Sequence, residues 1–387
     1  MTSLGCLALV SSCRKSTPAA VDAGLGSSAP HEETAIAIVS PHAASDAGAP
    51  RRASLRPRSP AKADDAIAIA ASTFRAGSAP GDVGRDPASE PPAYDATLSA
   101  YTIDALPFPN DPAQPSKVVR SVAEAEKSCA SAGKRLCTEL EWEHACKGSD
   151  DDAYASGATW DAACDRDPSS CASELGVRAL GAIRELTASR FEGASGNAVR
   201  GGLTHRCSAR AKDSALGAAF RCCAGDPNAA SMPAIADNAL APFRPMAIDA
   251  PHLTRILAGA PELARIGNAI HFFDDADVTK RTDAGPLRAG LVLTASPIAW
   301  SPAAGVELLV ATGRGASSSF VVAFWRIDDD VYRLAASLLF DDDETPVALL
   351  YDPHQRTDLK WTSCIGCTGE EGSVVLRPDH TIAIVQK

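Results

Sequence analysis

The sequence predicts an α+β domain held together by disulfides, with a disordered tether before it and an all-β domain after it. Three observations predict this order. Cysteines concentrate between residues 129 and 223, and short apolar runs separated by turn residues begin at about residue 287. Residues 14–93 are rich in Ala, Ser, Pro, Gly and Asp and contain almost no aromatic residues. A chain of 387 residues is long enough for about two to three domains.

The N-terminal residues 1–13 contain a short apolar run that ends in Val-Ser-Ser-Cys. This end resembles a bacterial lipoprotein cleavage box, with Cys13 as the lipidated residue. In a secretory signal a Lys or Arg normally precedes the apolar run, and none does so here. The alternative is an unprocessed N-terminus. Lipidation would attach the protein to a membrane of the bacterial cell envelope, as an outer-membrane or periplasmic lipoprotein. No apolar segment is long enough to predict a transmembrane helix.

Residues 14–93 cannot bury enough apolar surface to offset the entropy lost on ordering, so we predict a disordered tether there. The formal net charge of the chain is -11, and the predicted folded regions have no sustained basic stripe. This composition argues against a nucleic-acid partner.

Two helix starts flank a short extended segment at residues 135–137. Ser121 and Thr138 are each followed three residues later by Glu, which is the spacing of a capping box. Cys129 and Cys146 fall at positions that helical spacing places on the inward faces of the two helices. The segment predicts a scaffold of two short helices with inward cysteines.

The cysteine count predicts disulfides instead of a zinc site. If Cys6 is removed and Cys13 is lipidated, ten cysteines remain, and an even number dense in one region is typical of a disulfide framework in an oxidising compartment. Zinc is the alternative, but Cys364 and Cys367 form the only closely spaced pair and the histidines are scattered. A thioredoxin-like role of this pair would require the first cysteine at the start of a helix, where its thiolate is stabilised. A strand is predicted to follow instead, so we predict a structural disulfide there.

Several segments in residues 94–226 match, in order, the motifs of one family: "YTIDALPFPN" (101–110), "GKRLCTELEWE" (133–143), "GAIRELTAS" (181–189), "VRGG" (199–202), "RCSAR" (206–210) and "AAFRCC" (218–223). These residues resemble the formylglycine-generating enzyme family, also called the sulfatase-modifying-factor domain. The resemblance implies a C-type-lectin-like α+β domain with little regular secondary structure and with disulfides as staples. It covers about a third of the chain.

The resemblance also implies how the cysteines pair. The family's two structural bridges correspond to Cys129 with Cys222 and Cys146 with Cys207. This leaves Cys137 near Cys223, and Cys164 with Cys171 closing a short loop. Each bridge would stabilise the fold by about 2 to 4 kcal/mol.

The activity of the family is oxidation of a substrate cysteine to formylglycine, with oxygen and a copper(I) ion held by two thiolates. Soft thiolates suit Cu(I). The family's two thiolates lie between the R-G-G and R-C-x-x-R elements, where this chain has only residues 203–205 and no cysteine. The Asn of the family's calcium motif is replaced by Ala182, although Glu185 is retained. We therefore expect no catalytic residue, no metal and no cofactor.

The alternative is an active oxidoreductase with a rearranged metal site built from Cys207, Cys223 or His205, and copper or calcium is expected only in that case. In the leading interpretation the domain binds or scaffolds, and His205, Arg206 and Arg210 are a possible ligand pocket. The partner would be an unknown cell-envelope protein or a glycan. A structural component of the cell envelope is a third possibility.

Residues 227–286 are predicted to be a connector with a short helix at 249–259, because Asp249 precedes Pro251 in a helix-start pattern. Residues 287–387 contain seven β-branched or aromatic runs separated by Gly, Pro, Asp or Ser. This pattern predicts an all-β domain that is a sandwich, a barrel or part of a propeller.

Overall fold

A computed structural model of the chain describes residues 60–191, 196–202, 204–214, 216–234, 243–258, 260, 261, 263, 270–276, 291–303, 305–316, 318–328, 331–341, 347–355, 357–363 and 370–387. In these residues the chain is mostly β-sheet with a few short helices. None of the described helices is long and apolar enough to cross a membrane.

The N-terminal part of the described chain, here called the first domain, consists of short strands and helices. Its strands are β1 (Ala66–Ile69), β2 (Ser72–Ala76), β3 (Tyr94–Leu98), β4 (Tyr101–Asp104), β5 (Arg135–Leu136), β6 (Glu185–Arg190), β7 (Asn197–Arg200), β8 (Arg210–Lys212), β9 (Ala219–Phe220) and β10 (Cys222–Ala224). Its helices are α1 (Val122–Ser131), α2 (Glu139–Lys147), α3 (Ala163–Arg166) and a 3-10 turn at Pro168–Ser170.

Three small sheets make up this domain. The strand orders are β1-β4-β10-β5 and β8-β7-β6-β9, and β2 pairs with β3. Most pairs are antiparallel, whereas β6 and β9 run parallel. Helix α2 packs on β2, β6 and β7 and brings its cysteine and its carboxylates into the centre of the domain.

Both predicted helix starts are present, but only the second has a complete capping box. The Thr138 side chain accepts from the amide of Glu141, whose carboxylate accepts from the amide of Thr138. At α1 the Ser121 hydroxyl accepts from the amide of Glu124, without the reciprocal bond. The Glu124 carboxylate lies 3.7 Å from Lys117 Nζ and forms an ion pair with it. The Glu124 carboxylate thus pairs with Lys117, whereas the spacing predicted that it would cap the helix start.

The prediction of a disordered tether up to residue 93 is wrong for residues 60–93. Strand β1 pairs with β4 and strand β2 pairs with β3, so both belong to the first domain. The side chain of Phe74 is buried and stacks on His144 of α2, with 4.7 Å between the ring centroids. Burial lowers the pKa of His144 below its ordinary value, because it disfavours the charged imidazolium. Residues 14–59 lie outside the described part of the chain.

The C-terminal part of the described chain, here called the second domain, contains two sheets. Its strands are β11 (Arg244–Pro245), β12 (His271–Phe272), β13 (Val292–Thr294), β14 (Ile298–Trp300), β15 (Leu308–Arg314), β16 (Ser319–Asp328), β17 (Val331–Phe340), β18 (Ala348–Tyr351), β19 (Leu359–Thr362), β20 (Glu371–Leu376) and β21 (Ile382–Gln386). One sheet has the order β11-β14-β15-β16-β17, with β12 also paired to β15, and the other has the order β13-β18-β19-β20-β21.

The two sheets share one apolar core, as in a β-sandwich. Trp300, Val310 and Val321 from the first sheet and Leu349 and Trp361 from the second belong to the same buried cluster. All seven predicted strands are present, as β13, β15, β16, β17, β18, β20 and β21. Strands β14 and β19 were missed, because prolines flank the first and the second is short and partly polar.

The predicted connector at 227–286 is not a free connector where the structure describes it. The short helix predicted there is present as α4 (Ala250–Ala258). Its Ile256 is buried against Leu309 and Phe324 of the sandwich. Strand β11 pairs with β14 and strand β12 with β15, so the second domain begins before residue 287. Two-residue strands are too short to show a periodic sequence pattern.

Residues 81–87 of the first domain contact the second domain. The guanidinium of Arg85, which is buried, donates to the carbonyl oxygen of Gly305 at 3.1 Å. Asp82 accepts from Arg333 of β17 at 3.3 Å. Gly81 lies against the ring of Trp325, and its positive φ of 82° and the lack of space both exclude a larger residue. The segment that the composition assigned to a tether therefore joins the two domains.

We expect Phe74→Ala to lower the free energy of unfolding by about 3–5 kcal/mol, because it leaves a cavity under α2. Val83→Ala is the control, since Val83 lies in the same segment and is 55% exposed. Urea unfolding of the full chain measures both variants. Equal and negligible losses would contradict the folded state of residues 60–93.

Candidate functional site

Four disulfides join eight cysteines of the first domain. They pair Cys129 with Cys222, Cys137 with Cys223, Cys146 with Cys207 and Cys164 with Cys171, and their Cα–Cα distances lie between 5.0 and 5.5 Å. This is the pairing that the family resemblance implies. Cys13, Cys364 and Cys367 lie outside the described residues, so the lipid attachment and the C-terminal disulfide stay predictions.

The bridges determine which sulfur atoms could bind a metal. A thiolate, and not a disulfide sulfur, is the metal ligand that cysteine supplies. Cys207 and Cys223, two of the three residues of the alternative metal site, are bonded to Cys146 and Cys137. In the part of the chain that is described, no three His, Cys, Asp or Glu side chains are grouped so that they could hold a metal ion.

His205 lies in the short interval where the resemblance would place the copper ligands of the family. Its backbone φ is +60°, a left-handed conformation that turns the chain sharply. Its ring stacks on Trp160, with 4.1 Å between centroids and 6° between planes. Nδ1 lies 3.1 Å from the carbonyl oxygen of Gly181, and Nε2 lies 3.5 Å from a carboxylate oxygen of Asp165. His205 is thus held against the loop that the Cys164–Cys171 bridge closes.

Arg206, the next residue, is buried and contacts other groups. Its guanidinium lies 3.2 Å from Glu90 and donates to the hydroxyl of Ser208 at 2.9 Å. Glu90 is also buried, at the end of the segment that joins the two domains. Arg206 therefore fixes this segment to the first domain.

Arg210 belongs to a cluster of buried charges on the inner side of α2. It donates from Nε and Nη2 to the two carboxylate oxygens of Glu139, at 3.0 and 2.9 Å. Arg200 lies 3.3 Å from Glu139 and donates to Glu143 at 2.9 Å. Lys147 completes the cluster, with its ammonium 3.0 Å from Glu143. Three cations thus face two carboxylates.

The carboxylates of this cluster stabilise the charged form of Arg200. Burial alone would lower the pKa of Arg200, but the Glu143 and Glu139 carboxylates outweigh burial and hold that pKa above its ordinary value. Arg200 is 0% exposed. Removing one partner of a buried ion pair of this kind strongly destabilises the folded protein.

Glu185, which the family resemblance would match to a residue of a calcium motif, is also bound to an arginine. Arg221 donates to both of its carboxylate oxygens, at 2.9 and 2.8 Å. Both side chains are buried. The Arg221 guanidinium also donates to the carbonyl oxygens of Asp104, Ala105 and Arg178, so it joins three segments of the chain. In this structure the Glu185 oxygens hold a guanidinium.

A cavity of about 210 Å³ lies beside the charged cluster. It is lined by Gly84, Asp86, Ser89, Glu90, Arg184, Val199, Gly201, Thr204, Ala209, Arg210 and Ala211. Of the three residues predicted to form a ligand pocket, only Arg210 lines this cavity. His205 faces Trp160 and Arg206 faces Glu90, because the left-handed turn at His205 sends adjacent side chains to different sides. The predicted pocket is thus not formed by these three residues.

Residues 84–90 contribute to the cavity, although their composition predicts a disordered tether. A usable signal was present in "AIAIAASTFRA" (66–76), where Ile67, Ile69 and Phe74 are typical of strands. The low aromatic content of residues 14–93 as a whole concealed this strand signal.

None of the protein-family models searched matches this chain, and no curated protein sequence matches it either. The likeness to the formylglycine-generating enzyme family therefore stays a prediction that depends on the quoted motifs.

We expect Glu185→Gln to lower the free energy of unfolding by about 3–5 kcal/mol, because it leaves the Arg221 guanidinium buried without a counter-charge. Adding Arg221→Met should recover part of this loss, since the double variant buries no unpaired charge. Thermal and urea unfolding measure both effects.

The matched control is Asp95→Asn, which breaks the exposed ion pair between Arg75 and Asp95. Such a pair contributes at most about 1 kcal/mol. If Glu185→Gln were as mild as Asp95→Asn, the Glu185–Arg221 pair would not be a structural element.

Proposed function

We propose that this chain is a bacterial cell-envelope lipoprotein, anchored through Cys13, whose first domain is a non-catalytic relative of the formylglycine-generating enzyme with a C-type-lectin-like fold. Its role is to bind or scaffold, and its partner is an envelope glycan or an envelope protein. The observation that carries the proposal is the state of the cysteines, because all eight that the structure describes in the first domain are in disulfides.

The chemistry of the family depends on two thiolates at one copper ion. The interval between Gly202 and Arg206 supplies no cysteine, and the nearest one, Cys207, is bonded to Cys146 of α2. His205 in this interval is stacked on Trp160. A disulfide, a stacked ring and a short interval support a scaffold without the copper chemistry.

The cavity beside the charged cluster supports a binding role. Its lining includes Ser89, Thr204, Asp86 and Arg184, which carry hydroxyl, carboxylate and guanidinium groups. Such groups donate and accept hydrogen bonds as the hydroxyl groups of a glycan require. The neighbouring Arg210 is held rigid by Glu139, so the wall of the cavity is preorganised. We therefore place the ligand in this cavity.

The test of this proposal combines a copper titration with a binding screen of the full chain. Titration with Cu(I) against a competing chelator is expected to show no tightly bound copper. On an array of bacterial envelope polysaccharides, the protein is expected to retain a subset of glycans. Arg184→Ala should weaken this retention about tenfold, the usual loss for a hydrogen bond to a charged group.

Arg190→Ala is the control, because Arg190 is exposed at the other end of β6 and does not line the cavity. One tight copper per chain, together with oxidation of a cysteine-containing peptide, would contradict the proposal and favour the oxidoreductase. Binding that Arg184→Ala and Arg190→Ala weaken equally would contradict the assignment of the cavity. Fixed stoichiometric partners in envelope pull-downs, without glycan binding, would favour a structural component.

A further inference from the structure

A serine and a histidine lie side by side in the first domain, where β2 begins. Oγ of Ser72 is 3.1 Å from Nε2 of His144, which belongs to α2. Ser72 is half-buried, and its neighbours in the chain, Ala70, Ala71 and Thr73, are exposed and small. A small molecule can therefore approach the serine from solvent. Neither Ser72 nor His144 lines the cavity beside the charged cluster.

Tyr101 of β4 determines which nitrogen of His144 carries the proton. The Tyr101 hydroxyl donates to the backbone carbonyl oxygen of Glu141 at 2.8 Å, which uses its one proton. Nδ1 of His144 lies 3.3 Å from the same hydroxyl oxygen, so at this contact Nδ1 donates and the tyrosine oxygen accepts. A neutral imidazole with its proton on Nδ1 has a free lone pair on Nε2. The Ser72 hydroxyl therefore donates to Nε2.

The surroundings of His144 keep its imidazole neutral and fixed in orientation. Burial lowers its pKa, and this effect outweighs the exposed Asp151 carboxylate, which acts in the opposite direction. Burial also holds the pKa of Tyr101 well above its ordinary value, so the tyrosine keeps the proton that it donates. The ring of Phe74 stacks on the imidazole. A neutral, oriented imidazole beside a hydroxyl is the arrangement of a general base with its nucleophile.

We propose that Ser72 is a nucleophile that takes the acyl group of an ester, with His144 as its general base. Oγ forms a bond to the carbonyl carbon while its proton passes to Nε2 of His144. The bond between this carbon and the alcohol oxygen then breaks, and Nε2 gives the proton to the departing alcohol. The products are an acylated Ser72 and a free alcohol, so the step balances without an oxidant or a reductant. Tyr101 is a positioning residue, because it holds Nδ1 of the base.

This reaction is separate from the copper chemistry of the family and from the proposed binding cavity. It uses the hydroxyl of Ser72 and needs no thiolate. Its test therefore succeeds or fails independently of the copper titration and of the glycan array.

The first measurement treats the full chain with a fluorophosphonate, which reacts irreversibly with base-activated serines, and maps the labelled peptides by mass spectrometry. Ser72 is expected to carry the label. Ser99 is the internal control, because it is an exposed serine beside Leu98, the cross-strand partner of Ser72. Ser72 should react at least about a hundredfold faster than Ser99, the lower end of the usual gain from a general base.

The second measurement follows the release of nitrophenolate from p-nitrophenyl acetate. Ser72→Ala is expected to remove the release that the unmodified protein shows above background. Thr73→Ala is the matched control and should retain this release, because the Thr73 hydroxyl is 2.8 Å from that of Thr97 and is not paired with His144 in β2. Melting temperatures verify that both variants are folded.

The third measurement is the pH dependence of fluorophosphonate labelling between about pH 5 and 8. The labelling rate should rise with the neutral fraction of His144 and then level off. Its midpoint should lie below about pH 6.5, the ordinary pKa of histidine, because burial lowers the pKa of His144. A hydroxyl without a base would instead react in proportion to the hydroxide concentration.

Three results would overturn the proposal. They are a label that does not prefer Ser72 to Ser99, a nitrophenolate release that Ser72→Ala leaves unchanged, and a labelling rate that rises with hydroxide without a plateau. Each of them would reduce the contact between Ser72 and His144 to a structural hydrogen bond between β2 and α2.

Discussion

Helix α2 lies against strands β7 and β8 through buried charges, and the arrangement of the first domain depends on this contact. Glu139 and Glu143 enter the interior on the helix, and Arg200 and Arg210 meet them from the strands. A buried carboxylate without a partner would cost several kcal/mol, so a displacement of the helix that separates these charges is strongly disfavoured. The same helix carries Cys146, whose bridge to Cys207 holds the chain between β7 and β8 to α2.

This constraint explains why the candidate site has its observed form. With Cys207 fixed to α2, the short interval before it has to turn sharply, and His205 adopts a left-handed conformation beside Trp160. Arg206 then points to Glu90 and fixes the segment that reaches the second domain. His205, Arg206 and Arg210 are thus occupied in holding the domain together.

Much of the fold could be predicted from local patterns, and the parts that could not depend on distant contacts. Helices α1 and α2 have caps within a few residues, and the seven predicted strands of the sandwich are apolar runs of their own. Strands β1 and β2 lie in a window of low complexity and gain their stability from β4, β3 and α2. The side chains of His205 and Arg206 point apart because of one backbone angle. Ser72, His144 and Tyr101 come together from two strands and one helix. No local sequence pattern reveals either feature.

The most direct test of a scaffold without thiolate chemistry is peptide mapping of the mature protein by mass spectrometry under non-reducing conditions. Our account predicts linked peptides for Cys146–Cys207 and Cys137–Cys223, together with Cys129–Cys222 and Cys164–Cys171, and no free thiol among these eight cysteines. Free thiols at Cys207 and Cys223 would contradict it, because two thiolates would then be available to a copper ion.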